Sequence, residues 1–345
     1  MVDLTLRRVF DDYKALRDLK PKTLQNYEYR LTHCFYDWLD TDVRDITRQM
    51  VMVRHREIQG KAMANSAMRT LKALYNFAEA RYELDGKSLV ESNPTSRLTA
   101  VRAWNRDRVR TNVLQGTELA AWWRAVQAID DTSVRDFFIV VLFTGARKSE
   151  ILNLKWVDVN LEHRVIHFRD TKTVARDVPY STFVSSLLDG RAYSAEGEYV
   201  FDEPGGKRVS QTKIEEYKRV AWKLTGKRWT VHDLRRSYAT HADFLEERPE
   251  PVMELVGHKN RSMTERYTIR SIERLRRTAH RISDSLLQFC TGQTKLTQLE
   301  QNSDVIEVEY ADTEQSIRKL LQFKEIKPRH SVSQTLGIDP FAAVE

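Results

Sequence analysis

In the first hundred residues, hydrophobic side chains recur every three or four positions, which is the spacing of one face of an α-helix. The first such face carries Leu6, Val9, Phe10, Tyr13 and Leu16. The same pattern predicts helices over residues 21–39, 45–59 and 64–82, and Pro21 suits the start of the second helix. Asp85-Gly86 and Asn93-Pro94 are turn signals. A small helical domain over residues 1–98 is therefore predicted.

Hydrophobic positions become sparse between residues 99 and 113. This stretch carries Arg102, Arg106, Arg108 and Arg110. A basic linker between two domains is predicted here. At the other end of the chain, residues 291–345 form a polar and partly acidic tail, for which disorder is predicted apart from a helix over residues 313–323.

Between these two segments, residues 114–290 show a mixed pattern. Helices are predicted over residues 117–126, 132–143, 150–156, 211–224, 233–245, 251–256 and 271–287. Residues 165–168 and 177–180 are short β-like runs on either side of a polar loop, which indicates a hairpin, and residues 199–201 suggest a further strand. The predicted fold class is mainly α with a small antiparallel β-sheet.

Composition limits the partners and the cellular location that we expect for this chain. The chain has 345 residues with 56 basic and 49 acidic side chains, a net charge of +7 that suits a polyanionic partner, although many basic proteins bind no nucleic acid. Cys34 and Cys290 are far apart and lack the spacing of disulfide or metal sites. No apolar run approaches the roughly 18 residues of a membrane span. We expect a cytoplasmic protein with no metal, no cofactor and no membrane partner.

The residues with the clearest chemistry lie between positions 144 and 267. Thr144-Gly145-x-Arg147-x-x-Glu150 is followed by His232-x-x-Arg235, then by Gly257-His258, and then by Tyr267 nine residues later. Guanidinium groups grip phosphate oxygens in pairs, and imidazole exchanges protons near neutral pH. A phenolate can attack a phosphodiester that is held in this way. These residue types indicate phosphoryl transfer.

The order and spacing of these four motifs resemble the tyrosine recombinases, the phage-type integrase family. The resemblance implies a SAM-like core-binding domain and a catalytic domain that form a C-shaped clamp on DNA, with the basic linker crossing the duplex. It also implies the contacts expected from the first domain and the linker. These candidate DNA-binding residues are Lys22, Thr23, Asn65, Ser66, Arg69, Arg106 and Arg108. A solvated basic face is the alternative.

The resemblance also assigns catalytic roles. Arg147 and Arg235 would hold the scissile phosphate, and Tyr267 would attack it to give a 3′-phosphotyrosine. Lys172, in the hairpin loop, would protonate the leaving 5′ hydroxyl. His232 would bond a non-bridging oxygen and assist proton movement, whereas His258 would act by hydrogen bonding. Glu150 would support the site without reacting, and neither ATP nor a metal ion is needed.

Two residues near these motifs invite other interpretations. Tyr238 lies on the predicted His232–Arg235 helix as a packing residue, since only Tyr267 has the required offset from Gly257-His258. His241 suggests zinc, but no third ligand follows at a suitable spacing.

The expected function is therefore site-specific recombination of double-stranded DNA attachment sites. The resemblance implies a homotetramer, a Holliday junction, action at the nucleoid and accessory DNA-bending or directionality factors. The long tail favours the integrase of a mobile element or phage. Alternatives are a chromosome-dimer-resolving recombinase, a type IB topoisomerase and a catalytically silent DNA-binding regulator. Residues 271–287, after the tyrosine, are hypothesised to pack against a neighbouring protomer.

Overall fold

Helices separated by short hairpins make up most of the chain. The computed structural model describes residues 3–106, 111–169, 175–258 and 272–292. The chain divides into two units, Met1–Arg110 and Thr111–Glu345. Among the described residues, no helix is long and apolar enough to cross a membrane.

The first unit is built around one long helix. Its helices are α1 (Leu6–Leu16), α2 (Pro21–Cys34), α3 (Arg48–Glu57), α4 (Lys61–Arg81) and α5 (Ser96–Ala100). Side chains of α4 such as Met68, Leu71 and Leu74 are fully buried, and α4 contacts α1, α2 and α3. Threonine hydroxyls at positions 5 and 47 accept hydrogen bonds from the first turns of α1 and α3, so these helices begin where side chains satisfy free backbone N–H groups.

One prediction for this unit needs correction. The helix predicted over residues 21–39 ends at Cys34, because Phe35 has a non-helical φ of −140°, and residues Tyr36–Trp38 form a separate 3-10 turn. Phe35 and Trp38 are nevertheless buried, which explains their place in the hydrophobic pattern. The turn predicted at Asp85-Gly86 is confirmed, and it closes a small hairpin, β1 (Glu83–Leu84) with β2 (Lys87–Ser88), that was not predicted.

The second unit surrounds a helix that is buried on nearly every side. Its helices are α6 (Thr117–Gln127), α7 (Thr132–Thr144), α8 (Lys148–Leu152), α9 (Thr182–Tyr193), α10 (Gln211–Thr225), α11 (Val231–Phe244), α12 (Pro249–Val256) and α13 (Ile272–Thr291). On α7, only Thr132 and Arg135 escape full burial. A helix that is apolar on all sides requires such a central position, and it carries Arg147 just beyond its end.

A three-stranded antiparallel sheet lies in the same unit. It consists of β3 (Val159–Asn160), β4 (Val165–Phe168) and β5 (Arg176–Pro179), in that order. The pairing of β4 with β5 sets Phe168 opposite Arg176. A separate hairpin joins β6 (Asp202–Glu203) and β7 (Lys207–Arg208). The predicted fold class, mainly α with a small antiparallel sheet, is confirmed.

Two local predictions were wrong, and one helix was not predicted. The helix expected over residues 150–156 is the shorter α8, followed by a 3-10 turn at Trp156–Asp158. Residues 199–201 contribute one isolated bridge, between Tyr199 and Lys155, and no strand. Helix α9 was not predicted, although the Ser181 hydroxyl caps it by accepting a hydrogen bond from Val184.

The helix that follows the predicted nucleophile packs on its own unit. The apolar face of α13, which includes Leu275, Ile282 and Leu286, is buried against α6, α12 and β5. Arg276 also donates a 2.9 Å hydrogen bond to the carbonyl of His163, beside the sheet. Within the chain this face is therefore already covered over the described part, Ile272–Thr291, and the packing of residues 271–287 against a neighbouring protomer stays a hypothesis.

Candidate active site

Arg147 stands at a sharp turn between α7 and α8. Helix α7 ends at Gly145, whose φ of 61° is left-handed, and a Cβ there would come within 2.5 Å of the Tyr238 ring. Only glycine suits this position. Arg147 then caps α8: its backbone N–H and its Nη1 each donate a 2.8 Å hydrogen bond to the carboxylate of Glu150. The turn therefore fixes both the backbone and the side chain of Arg147.

Glu150 is shared between two guanidiniums. Arg176, the first residue of β5, grips both carboxylate oxygens, with distances of 2.9 Å from Nη1 to Oε1 and 2.8 Å from Nη2 to Oε2. The side chains of Arg176 and Glu150 are 6% and 3% exposed. Burial alone would raise the pKa of Glu150, but the hydrogen bonds and charge of Arg176, together with those of Arg147, lower that pKa to about 2. The carboxylate is therefore ionised at neutral pH.

Arg235 lies on the buried face of α11. Thr230 and Asp233 form a reciprocal cap at the start of this helix, and this cap places Arg235 one turn further along. Its Nη1 donates a 2.8 Å hydrogen bond to the carbonyl of Gly145. Burial, and then the positive charge of Arg147, lower the pKa of Arg235 to about 10, with Glu150 acting in the opposite direction.

The end of α12 supplies His258. The left-handed Gly257, with a φ of 69°, ends the helix, and the backbone N–H of His258 donates to the carbonyl of Met253 at 2.9 Å. The guanidinium of Arg147 donates to the carbonyl of Gly257. Burial, followed by the charges of Arg235, Arg147 and His232, lowers the pKa of His258. His232 is therefore close enough to influence the same group.

The fold thus brings together four of the six predicted catalytic residues, Arg147, His232, Arg235 and His258, with Glu150 beneath them. Both histidines are exposed, whereas Arg235 is buried. Basic groups that lie this close together can bind an anion that carries several oxygens, such as a phosphodiester. Lys172 and Tyr267 lie outside the described residues. Within the described ranges, no group of three or more His, Cys, Asp or Glu side chains could hold a metal ion.

Similarity to known sequences agrees with this geometry. The model of the phage integrase family matches residues 112–274, which contain every residue of the site. The chain is 29% identical over 285 residues to tyrosine recombinase XerA of Thermococcus kodakarensis, covering 78% of this chain and 92% of XerA. It is 26% identical over 232 residues to prophage integrase IntF of Escherichia coli, covering 64% of this chain and 48% of IntF.

Residues 112–274 therefore form a phage integrase domain of the tyrosine recombinase type. The resemblance drawn from the sequence motifs is confirmed, and with it the enzyme class, tyrosine recombinase. The described fold agrees as well. A λ integrase dimer bound to a COC′ core site superposes with a TM-score of 0.61 at 22% identity, covering 77% of this recombinase and 99% of that chain. A Tn1549 transposon integrase in complex with circular intermediate DNA gives 0.63 at 17% identity, with coverages of 79% and 98%.

One residue of this recombinase site was missed in the sequence. Arg176 falls within the predicted polar loop, between the runs 165–168 and 177–180, yet it lies on the same face of β5 as Val178, which is 1% exposed. An arginine on the buried face of a strand is a detectable signal, because such a charge must find a partner. The partner, Glu150, is 26 residues earlier in the chain, so the pairing itself was visible only in the fold.

The residues of the first unit that are predicted to contact DNA differ in their exposure to solvent. Lys22, Arg69 and Arg106 are exposed, and Thr23 and Ser66 are half-buried. Asn65, in contrast, is 1% exposed, and its amide nitrogen donates a 2.8 Å hydrogen bond to the carbonyl of Asn105. The prediction for Asn65 needs correction, because in this conformation its side chain joins α4 to the segment after α5. Arg108 lies outside the described residues.

Proposed function

We propose that this protein is a site-specific DNA recombinase that cleaves and rejoins strands through a covalent bond between DNA and Tyr267. The observation that carries the proposal is the clustering of Arg147, Arg235, His232 and His258 within a phage integrase domain. Arg235 is buried among positive charges and hydrogen-bonded to a neutral carbonyl. An incoming phosphate relieves this repulsion, which gives the site its preference for an anion.

The proposed reaction is a transesterification in two steps. The phenolic oxygen of Tyr267 attacks phosphorus, the bond to the 5′ oxygen breaks, and a 3′-phosphotyrosine forms. The phenol proton passes to a base, a role assigned to His232, while Lys172 donates a proton to the leaving 5′ oxygen. A 5′ hydroxyl from the partner strand then attacks the phosphotyrosine and releases Tyr267. Because each ester bond is replaced by another, the bond energy is conserved and the reaction needs no ATP. The proposed reaction also assigns no role to a metal ion.

The two arginines stabilise the charge that develops on the phosphate. Preorganised donors of this kind each contribute about 100- to 1,000-fold to the rate. Replacing Arg235 by alanine should therefore slow cleavage at least that much, and His258→Ala should have a smaller effect because His258 only hydrogen-bonds.

The proposed substrates are two double-stranded attachment sites held by a homotetramer, with a Holliday junction as the intermediate. Integration or excision of a mobile element, in the cytoplasm on the nucleoid, is the biological setting that we favour, and accessory DNA-bending or directionality factors are proposed partners. A solved λ integrase tetramer bound to a Holliday junction, with a TM-score of 0.61, supports this assembly by analogy. Lys22, Thr23, Ser66, Arg69, Arg106 and Arg108 remain proposed DNA contacts.

Covalent capture tests the reaction. A duplex sequence is first selected from a random library by binding, and then nicked next to the cleavage position so that religation fails. Wild-type protein should form an adduct that resists SDS, and Tyr267→Phe should form none. Tyr238→Phe is the matched control, because Tyr238 is fully buried beside Gly145 and should leave adduct formation intact. An adduct with Tyr267→Phe would refute the assignment; binding without any adduct would favour a silent DNA-binding regulator.

Resolution of chromosome dimers is the second candidate function, and the similarity to XerA over 92% of its length favours it. The two functions differ in their sites. A resolving enzyme should recombine two identical copies of the selected site on one plasmid, whereas an integrase of a mobile element should join two different sites more efficiently.

A further inference from the structure

Arg176 lies where three elements of the site meet. It begins β5, its guanidinium binds Glu150 of α8, and its Nε donates a 3.3 Å hydrogen bond to the carbonyl of Leu255 at the end of α12. On one side the guanidinium carbon is 4.7 Å from the centre of the Phe168 ring. Against Gly257 the approach is so close that a Cβ would be 2.7 Å from that carbon. The position of the Arg176 side chain is therefore fixed by hydrogen bonds, by an aromatic ring and by the backbone of Gly257.

Glu150 accepts hydrogen bonds at all its available positions. Arg176 supplies two, and Arg147 supplies two more from its backbone and its side chain. A carboxylate has about four lone-pair positions, so this one is saturated. Its orientation is therefore decided jointly by the two arginines, and neither can rotate without breaking a charge-assisted bond to a buried carboxylate.

Arg176 also affects how strongly Glu150 neutralises the charge of Arg147. Arg147, Arg176 and Arg235 lie near a single carboxylate. Without Arg176, the negative charge of Glu150 would act on Arg147, its remaining hydrogen-bond partner, and on the nearby Arg235, and would cancel much of their attraction for a phosphate. With Arg176 present, much of the negative charge of Glu150 is balanced by Arg176 of β5. The Nη2 of Arg147 can then donate a hydrogen bond to the carbonyl of Gly257.

We propose that Arg176 is a positioning residue of the recombinase site, which holds Glu150 so that this carboxylate orients Arg147 without neutralising it. The inference rests on the proposed function, since it concerns how Arg147 meets the scissile phosphate. Arg176 acts through Glu150 and Gly257 and touches no reacting atom. A purely structural arginine would instead stabilise the fold and leave the chemistry of the folded protein unchanged.

Two substitutions at this position and one matched control separate these roles. Arg176→Met removes the charge and the fork but keeps an unbranched side chain in the buried space, whereas Arg176→Lys keeps the charge alone. Arg191→Met is the control: Arg191 is 10% exposed and forms a buried ion pair with Asp136, among residues outside the site. Each full-length variant is compared with wild type for thermal unfolding, affinity for the selected duplex and single-turnover cleavage of the nicked form.

If Arg176 positions Arg147, Arg176→Met should cleave about 10- to 100-fold more slowly than wild type at saturating DNA, since small misplacements of a catalytic group have effects of this size. DNA affinity should change by less than about threefold, because the phosphate contacts along the duplex remain. Arg176→Lys should recover part of the rate. Arg191→Met should lower the unfolding temperature and leave the rate of the folded fraction unchanged.

A pH profile provides a signature that a structural role would not produce. Glu150 faces Arg147 on its own helix, Arg176 on β5 and Arg235 on α11, with His258 at the end of α12. Once Arg176 is lost, burial should raise the pKa of Glu150, so cleavage by Arg176→Met should decline on acidification at a higher pH than cleavage by wild type. Adding Glu150→Gln to Arg176→Met should remove that extra decline.

Equal rates and equal pH profiles for wild type and Arg176→Met would overturn the proposal, as would a loss that matches the unfolded fraction and is shared by Arg191→Met. If wild type itself forms no adduct, the proposed reaction fails, and a crystal structure of Arg176→Met still decides the inference. Rotation of the Arg147 guanidinium away from the carbonyl of Gly257 supports it, and an unmoved Arg147 refutes it. Arg176→Lys serves in the same experiments if Arg176→Met does not fold.

Discussion

At the residue scale, one buried carboxylate organises the site. Glu150 receives hydrogen bonds from Arg147 and Arg176; the side chains of Glu150 and Arg176 are buried, and that of Arg147 is 22% exposed. A buried ion pair is costly to break from one side, because the remaining charge is left without a partner. The arrangement therefore links the geometry of the candidate site to the stability of the second unit.

Glu150→Ala should lower the free energy of unfolding by about 3–5 kcal/mol at pH 7, the usual loss when one member of a buried pair is removed. Because the pKa of Glu150 is lowered to about 2 from 4.5, its contribution is complete above about pH 4.5 and is lost as the pH falls towards 2. Urea denaturation at pH 7 measures the effect. Glu198→Ala, which removes the exposed partner of Lys155, should leave the midpoint unchanged; an equal shift would contradict the argument.

The contact between Arg176 and Gly257 can also be tested by substituting the glycine, with a second glycine as the control. Gly257 and Gly226 have nearly the same left-handed φ, 69° and 66°, but a Cβ on Gly226 would meet no atom within 4 Å. Both alanine variants should lose about 1 kcal/mol from backbone strain. Gly257→Ala should lose further stability and slow cleavage, since its methyl group displaces Arg176. Identical behaviour of the two variants in unfolding and cleavage would rule out this contact as the cause.

At the scale of elements, α11 and α13 are joined by a buried histidine. His241 on α11 is 8% exposed, its Nε2 is 3.0 Å from the hydroxyl of Ser285, and its ring packs edge-on against Phe289. Burial lowers the pKa of His241 to about 4 from 6.5. This histidine is therefore neutral in the folded protein near neutral pH, which suits a packing role better than a metal ligand.

Acid should weaken this contact between helices. Because the unfolded chain binds a proton at His241 below about pH 6.5 and the folded chain only near pH 4, stability is present above pH 6.5 and declines between these values. His258, whose pKa is also lowered, acts in the same direction. We expect His241 to account for about 2 kcal/mol of the loss between pH 7.5 and 5. His241→Gln should reduce the loss by that amount in urea denaturation; an unchanged pH dependence would refute it.

At the scale of the whole molecule, the net charge of +7 and the exposed basic side chains of the first unit favour a polyanionic partner. Lys22 on α2 and Arg69 on α4 are both exposed, and the Arg69 guanidinium lies 5.9 Å from the ring of Trp104. If these side chains bind DNA phosphates, their contacts would position the duplex and carry no sequence information.

Salt dependence tests these contacts. The logarithm of the DNA association constant should fall linearly with the logarithm of the salt concentration. Lys22→Gln and Arg69→Gln should each reduce the slope by about one if the residue contacts a phosphate. Lys14→Gln, on α1 where Lys14 pairs with Asp11, should leave the slope unchanged. A slope that is equal in all four proteins would remove Lys22 and Arg69 from the DNA interface.

Much of this protein was predictable from local pattern. Helices such as α1 and α10 were anticipated because their apolar residues repeat with the helical period, and β4 because its residues form a short β-like run. The end of α2 and the whole of α9 were not, since Phe35 leaves the helix to fill the core, and the hydrophobic pattern of α9 is weak.

The same division holds for the site. The motifs alone indicated Arg147, Glu150, His232, Arg235 and His258, because residue type and spacing carry that information, and the fold brings these residues together. Only the tertiary structure revealed the pairing of Arg176 with Glu150, the burial of Asn65 and the packing of α13 on its own unit. Each depends on a partner distant in the chain, and burial is decided by what covers a side chain in space. A sequence specifies which groups are present and their local periodicity; the folded chain decides which of them meet.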